Sequence, residues 1–149
     1  MTVLDVARTE VVTAPPEMSV ADVVRRLHTE TVAGLVVVDG DEPLDLVTDR
    51  DLTMALLDDG FDAEETPVRE FVDDDTPMID AAAGIYDTIQ ALSNEGVRRG
   101  IVVEDGALAG IVSISDIVVL LGMELNHVSK ALQTSSPAYE HGGPEYYRD

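Results

Sequence analysis

Apolar and polar positions follow the same order twice along the chain. In the first half, the extended segment Glu10-Val11-Val12-Thr13 comes first. Val20, Val23, Val24 and Leu27 follow at a spacing that predicts a helix capped by Ser19. The run from Gly34 to Asp39 places β-branched residues at consecutive positions, which predicts a strand buried on both faces. Asp39-Gly40 marks a tight turn, Leu44 to Thr48 a second strand, and a second helix starts at Asp49. In the second half, Thr76-Pro77-Met78-Ile79 is the extended segment. Gly84 takes the cap position, as a weaker cap, before Ile85, Ile89 and Leu92. A buried strand from Gly100, a turn at Asp105-Gly106, a strand from Leu108 to Ser113 and a helix from Ile114 complete the order β-α-β-β-α.

The halves align at an offset of 65 residues without a gap. Val3 matches Val68, Asp22 matches Asp87, Leu27 matches Leu92, and Val36-Val37-Val38 matches Ile101-Val102-Val103. Val47 matches Val112, Thr48 matches Ser113 and Asp51 matches Asp116. Two copies at so long a period point to a pseudo-symmetric pair, not a solenoid. The expected fold class is α/β (α+β), two repeats packed through their sheets. Residues 1–65 form the first repeat and 66–132 the second. Residues 133–149, rich in Ser, Pro and Gly, are expected to be a flexible tail. The turn glycines, Gly40 and Gly106, are offset by one from the repeat, so the two turns are expected to differ in length.

Charge narrows the function classes. The 149 residues include 30 acidic and 9 basic side chains, for a net charge of −21 spread along the chain, and Lys130 is the sole lysine. Such self-repulsion suits a high-salt cytoplasm, where counter-ions screen surface charges within a few Å. The other reading is an ordinary acidic protein. Nothing resembles a basic patch, so nucleic acid is not an expected partner. With no cysteine, disulfides and thiolate chemistry are excluded. The N-terminus lacks a signal-peptide pattern and no apolar stretch is long enough to span a bilayer. A soluble, cytoplasmic protein is expected.

Thr48-x-x-Asp51 and Ser113-x-x-Asp116 each stand between a strand and a helix. As local structure they are capping boxes with Asp at the third helical position. The same geometry suits a ligand: a helix start can hold a phosphate, and a carboxylate one turn in can accept hydrogen bonds from the hydroxyls of a ribose.

The chain resembles a pair of cystathionine-β-synthase (CBS) domains, the two-repeat unit called a Bateman module. The resemblance rests on "VVTAPPEMSV", "AGLVVVD" and "LVTDRDL" in copy one and on "GIYDTIQAL", "GIVVEDG" and "AGIVSISDI" in copy two, and covers roughly Val3 to Met123. It implies a non-catalytic regulatory module that binds AMP, ADP or ATP. The alternatives are an S-adenosylmethionine binder and a ligand-free scaffold or dimerisation module. It also implies that the hydroxyl of Thr48 or Ser113 contacts phosphate, and that Asp51 or Asp116 contacts ribose. Arg98 and Arg99 are expected to serve the copy-two phosphate, at positions where copy one has Ala33 and Gly34; Arg50 is the cation inside the copy-one motif. Adenine is expected near Thr13-Ala14 or Met78-Ile79. The family pattern has Gly three residues before the Thr/Ser. Gly110 fits it, whereas Asp45 departs from it and disfavours a nearby phosphate. Copy two departs at the entry to its first helix, with Asp80-Ala81 and Gly84 where copy one has Pro15-Pro16 and Ser19. Arg98 and Arg99 make copy two the expected site for a charged phosphate, and copy one is expected to be weaker or to prefer nucleosides. No required cofactor is implied, and the regulated protein is expected to be another, unknown chain.

Other chemistry finds little support. His28, His127 and His141 have no metal-ligand spacing among themselves, and no P-loop, dinucleotide fingerprint or nucleophile elbow is present. Asp73-Asp74-Asp75 reads as a solvated acidic loop. The final helix carries Ile117 to Leu121, Met123 and Leu125, more apolar surface than one packed stripe needs, so a homodimer is expected.

Overall fold

The consecutive β-branched residues form the centre of two three-stranded sheets in the computed structural model, which describes residues 1–135. In copy one, β1 (Thr13–Ala14) runs parallel to β2 (Gly34–Asp39), and β2 is antiparallel to β3 (Glu42–Thr48). The helices are α1 (Val20–Glu30) and α2 (Asp49–Met54). Copy two repeats the plan with β4 (Met78–Asp80), α3 (Ile85–Asn94), β5 (Arg99–Glu104) and β6 (Ala107–Ser113), followed by α4 (Ile114–Ser135). Leu35, Val36 and Val37, and their counterparts Ile101 and Val102, are fully buried, as expected for strands covered on both faces. The two sheets pack together, β3 lying against β5 and β6. The expected β-α-β-β-α order is therefore observed in each copy.

Local chemistry explains most boundaries. Ser19 Oγ accepts from Asp22 N at 3.1 Å and starts α1, whereas α3 starts at Gly84 without a side-chain cap. The first strand is shorter than the segment Glu10–Thr13 suggested and sits later. Arg26 Nη1 donates to the Thr13 carbonyl at 2.6 Å, and Pro15 and Pro16 have no N–H to extend a ladder. The expected difference in turn length is corrected by the pairing. Asp39 faces Glu42 and Glu104 faces Ala107, so both hairpins close through two residues. The shift lies in the turn geometry. Copy one has positive φ at Gly40, the first central residue, and copy two at both Asp105 and Gly106.

The segments that precede the repeats are exchanged. The 3-10 turn Val3–Asp5 belongs with the second sheet: Val3 N donates to the Ala83 carbonyl at 2.7 Å, and Thr2 pairs with Gly84. The matching turn Val68–Phe71 belongs with the first: Val68 N donates to the Met18 carbonyl at 2.8 Å, and Pro67 pairs with Ser19. Val68 is fully buried among Ala14, Val23, Leu35 and Val47. Each repeat thus completes its core with residues that precede the other.

Among the described residues, 1–114 form one compact unit and 115–135 belong to a second. Within the second, α4 buries Ile117 and exposes Val118, Val119, Leu121, Met123, Leu125, Val128 and Leu132. The expected tail from residue 133 lies outside the described residues beyond Ser135.

Candidate functional site

Thr48 ends β3 in an extended conformation, and α2 begins at the next residue. Thr48 Oγ1 accepts from Asp51 N at 3.3 Å. Asp51 Oδ2 accepts from both Thr48 N and Thr48 Oγ1, each at 2.8 Å. The capping box foreseen from the sequence is therefore formed. Both bonds from Thr48 end on Oδ2, so Oδ1 has no protein donor among the described residues. The helix has only six residues, which makes its dipole a weak holder of phosphate.

The pair borders a cavity of about 490 Å³, within the range of small-molecule sites. Leu46, Met54, Phe71 and Val97 supply its apolar wall, and Thr76 a hydroxyl. Five acidic residues line it, Asp45, Asp51, Glu70, Asp73 and Asp75, together with Arg98 and Arg99. Neither arginine is ion-paired among the described residues. Both copies therefore build this cavity: the motif comes from copy one, and the arginines come from the first residue of β5 and the residue before it.

Asp45 is the least expected component. It is 2% exposed, faces Val37 across the hairpin, and still borders the cavity. Leu46 N donates to its Oδ1 at 2.8 Å and Asp73 N to its Oδ2 at 3.1 Å. The matching place in copy two is built differently. Arg8 N donates to the Ile111 carbonyl at 2.8 Å, and Ile111 N to the Arg8 carbonyl at 3.0 Å. Gly110 lies beneath this pair, where an added Cβ would come within 2.9 Å of the Arg8 oxygen. Arg8 and Ile111 are the 65-residue counterparts of Asp73 and Leu46. In copy one the side chain of Asp45 has replaced that backbone bridge. The hydrogen bond to Asp45, reinforced by desolvation and by the Asp45 and Asp75 charges, pushes the Asp73 carboxyl up to about 6.

The other sequence candidates are dispersed. Arg98 and Arg99, assigned from the sequence to the copy-two motif, border the cavity of Thr48 and Asp51. Thr13, Ala14, Met78, Ile79 and Arg50 do not border it. Ala14 and Ile79 are buried in the cores, and Thr76, just before Met78 in the chain, takes the position at the cavity instead. Gly34 pairs with Thr48 in the hairpin, and the Ala33 carbonyl accepts from Asp49 N at 2.8 Å. Ser113 ends β6 opposite Arg99, and Asp116 lies in the first turn of α4. Sequence reading missed Asp73 by treating its run as solvated loop. The repeat offset that pairs it with Arg8 was the available signal.

A second, mainly apolar groove of about 900 Å³ runs beside α1 and α2, with Val24, Leu27, Val32, Leu52, Leu56 and Phe61 among its lining. Among the described residues no cluster of acidic or histidine side chains is arranged to hold a metal ion, and no helix is long and apolar enough to cross a membrane.

The family described as CBS domain matches the chain twice, over residues 3–58 and 68–122. An uncharacterized protein of Methanopyrus kandleri is 26% identical over 116 residues, covering 76% of this chain and 59% of the relative. An uncharacterized protein of Methanocaldococcus jannaschii is 27% identical over 85% of this chain and 45% of its own length. The chain thus spans roughly half the length of these two relatives. The CBS domain-containing protein YhcV of Bacillus subtilis is 26% identical, over 78% of this chain and 83% of its own. Among solved structures, a putative acetoin utilization protein of Vibrio cholerae gives a TM-score of 0.71 at 22% identity, covering 88% of this chain and 96% of that one. Hypoxic Response Protein I, solved with two coordinated zinc ions, gives 0.70 at 24%, covering 79% and 97%. These two structures support the fold alone.

Proposed function

The chain belongs to the CBS-domain family, and from this premise we propose that it is a regulatory module that binds an adenosine-containing ligand. The observation that carries the reading is the Thr48–Asp51 pair. Among the described residues it borders a nucleoside-sized cavity, keeps one Asp51 oxygen without a protein donor, and shares that cavity with two arginines outside any ion pair. Asp51 Oδ1 is available to ribose hydroxyls, and Leu46, Met54, Phe71 and Val97 offer an apolar wall to a base. Ser113 and Asp116 are the proposed second site. Gly110 contributes no carboxylate where copy one has Asp45, so this site is proposed to take a ligand with phosphate, such as AMP, ADP or ATP. S-adenosylmethionine is the alternative ligand of the same class.

Family members are generally non-catalytic, and the role proposed here is control of another polypeptide by ligand occupancy. The exposed apolar residues of α4, and separately those of α2 and the turn after it, support self-association as a homodimer. A ligand-free scaffold is the competing reading. Mass spectrometry of the purified protein under native conditions separates the two: a bound adenosine compound supports the sensor, and a bare protein that also fails to bind added nucleotide supports the scaffold.

A further inference from the structure

At the joint between each repeat and its exchanged segment the two copies are built differently, and in copy one that joint stands at the cavity. In copy two a glycine lets two backbones bridge directly. In copy one the Asp45 carboxylate is inserted between them. It is held at both oxygens by backbone N–H groups, so it has no freedom to swing away from a ligand. It is also buried, so salt screens its charge less than that of a surface carboxylate.

From this joint we infer that Asp45 selects the charge of the ligand: the copy-one cavity accepts a nucleoside that is neutral or carries a positive group, and rejects one that carries phosphate. This rests on the adenosine-ligand reading of the Thr48–Asp51 pair and narrows it. The other groups facing the cavity point the same way. Asp51, Glu70, Asp73 and Asp75 add four acidic residues to the lining, against two basic ones, Arg98 and Arg99. Both arginines are exposed, so their attraction for phosphate is screened, whereas the fixed carboxylate acts from a buried position. For unit charges about 10 Å apart at an effective dielectric constant of about 20, like-charge repulsion corresponds to about tenfold in affinity.

The test is calorimetric titration with adenosine, S-adenosylmethionine, AMP and ATP, at the lowest KCl concentration that keeps the fold by circular dichroism. Wild type, Asp45→Asn, Asp45→Gly and Asp51→Ala are compared. Binding lost in Asp51→Ala identifies the copy-one component. In wild type that component is expected to hold adenosine or S-adenosylmethionine about tenfold or more tighter than AMP. Asp45→Asn is expected to bring AMP within about threefold of adenosine. If Asp45→Gly fails to fold, the nearly isosteric Asn variant carries the comparison. An Asp51-dependent component that takes AMP as tightly as adenosine overturns charge selection and leaves the binding reading standing. So does an affinity ratio unchanged in the Asp45 variants. No Asp51-dependent binding of any of the four compounds overturns both.

Discussion

Asp73 N donates to Asp45 Oδ2 at 3.1 Å, in the place where the other repeat joins Arg8 and Ile111 backbone to backbone. A side chain therefore completes the exchange of segments in one copy, and the main chain completes it in the other. The Asp73 carboxyl hydrogen-bonds to Asp45 and holds its proton up to about pH 6, whereas in the unfolded chain it releases it near the ordinary value of 3.8. The native state thus binds a proton that the unfolded state has lost between those values. The stabilising contribution is full below about 3.8 and is lost as pH rises through about 6. Denaturant titrations of wild type and Asp73→Asn from pH 4 to 7 are expected to show wild type losing stability relative to the variant across this window. A constant difference between them contradicts the pairing.

Gly110 is predicted to be required by packing. Gly110→Ala places a Cβ within 2.9 Å of the Arg8 carbonyl oxygen, which is backbone and cannot yield cheaply. A loss of about 1–3 kcal/mol in urea unfolding is expected, the cost of overpacking. An unchanged midpoint would show that the exchanged segment moves freely.

How much of this was legible in the sequence differs from residue to residue. The strand through Leu35, Val36 and Val37 was readable because burial on both faces leaves a continuous apolar run. The Ser19 cap and the Thr48–Asp51 box were readable because their partners lie three residues away. The cavity was not, because it depends on contacts remote in sequence. Arg98 and Arg99 meet a motif some 50 residues earlier, and Asp73 meets Asp45 across 28 residues. The turns misled because glycine moved within a loop of constant length.

Salt dependence follows from the net charge of −21. The exposed pairs of Arg25 with Asp22 and Glu64, and of Arg69 with Glu17, contribute little and weaken in salt. Repulsion among the excess carboxylates is the larger effect, and at 1 M salt it is screened beyond about 3 Å. The melting temperature is expected to rise steadily from dilute buffer to molar KCl. A flat profile contradicts the reading of the chain as adapted to high salt.

Self-association is tested at Leu121, which is 45% exposed on α4 although apolar. If this face meets a second copy, Leu121→Asp yields a folded monomer, and wild type sediments as a dimer at tens of micromolar in high salt. A monomeric wild type contradicts the proposed homodimer.

Ligand binding through the repeated hydroxyl–carboxylate pair is tested most directly by titrating AMP and adenosine into wild type, Asp51→Ala and Asp116→Ala by calorimetry, with circular dichroism to show that each variant is folded. A ribose contact to either aspartate predicts that its removal weakens the ligand at that site by about 1.5–3 kcal/mol, the range for a hydrogen bond to a charged group. Folded variants that both bind with wild-type affinity would leave the two aspartates as helix caps alone and contradict the proposed function.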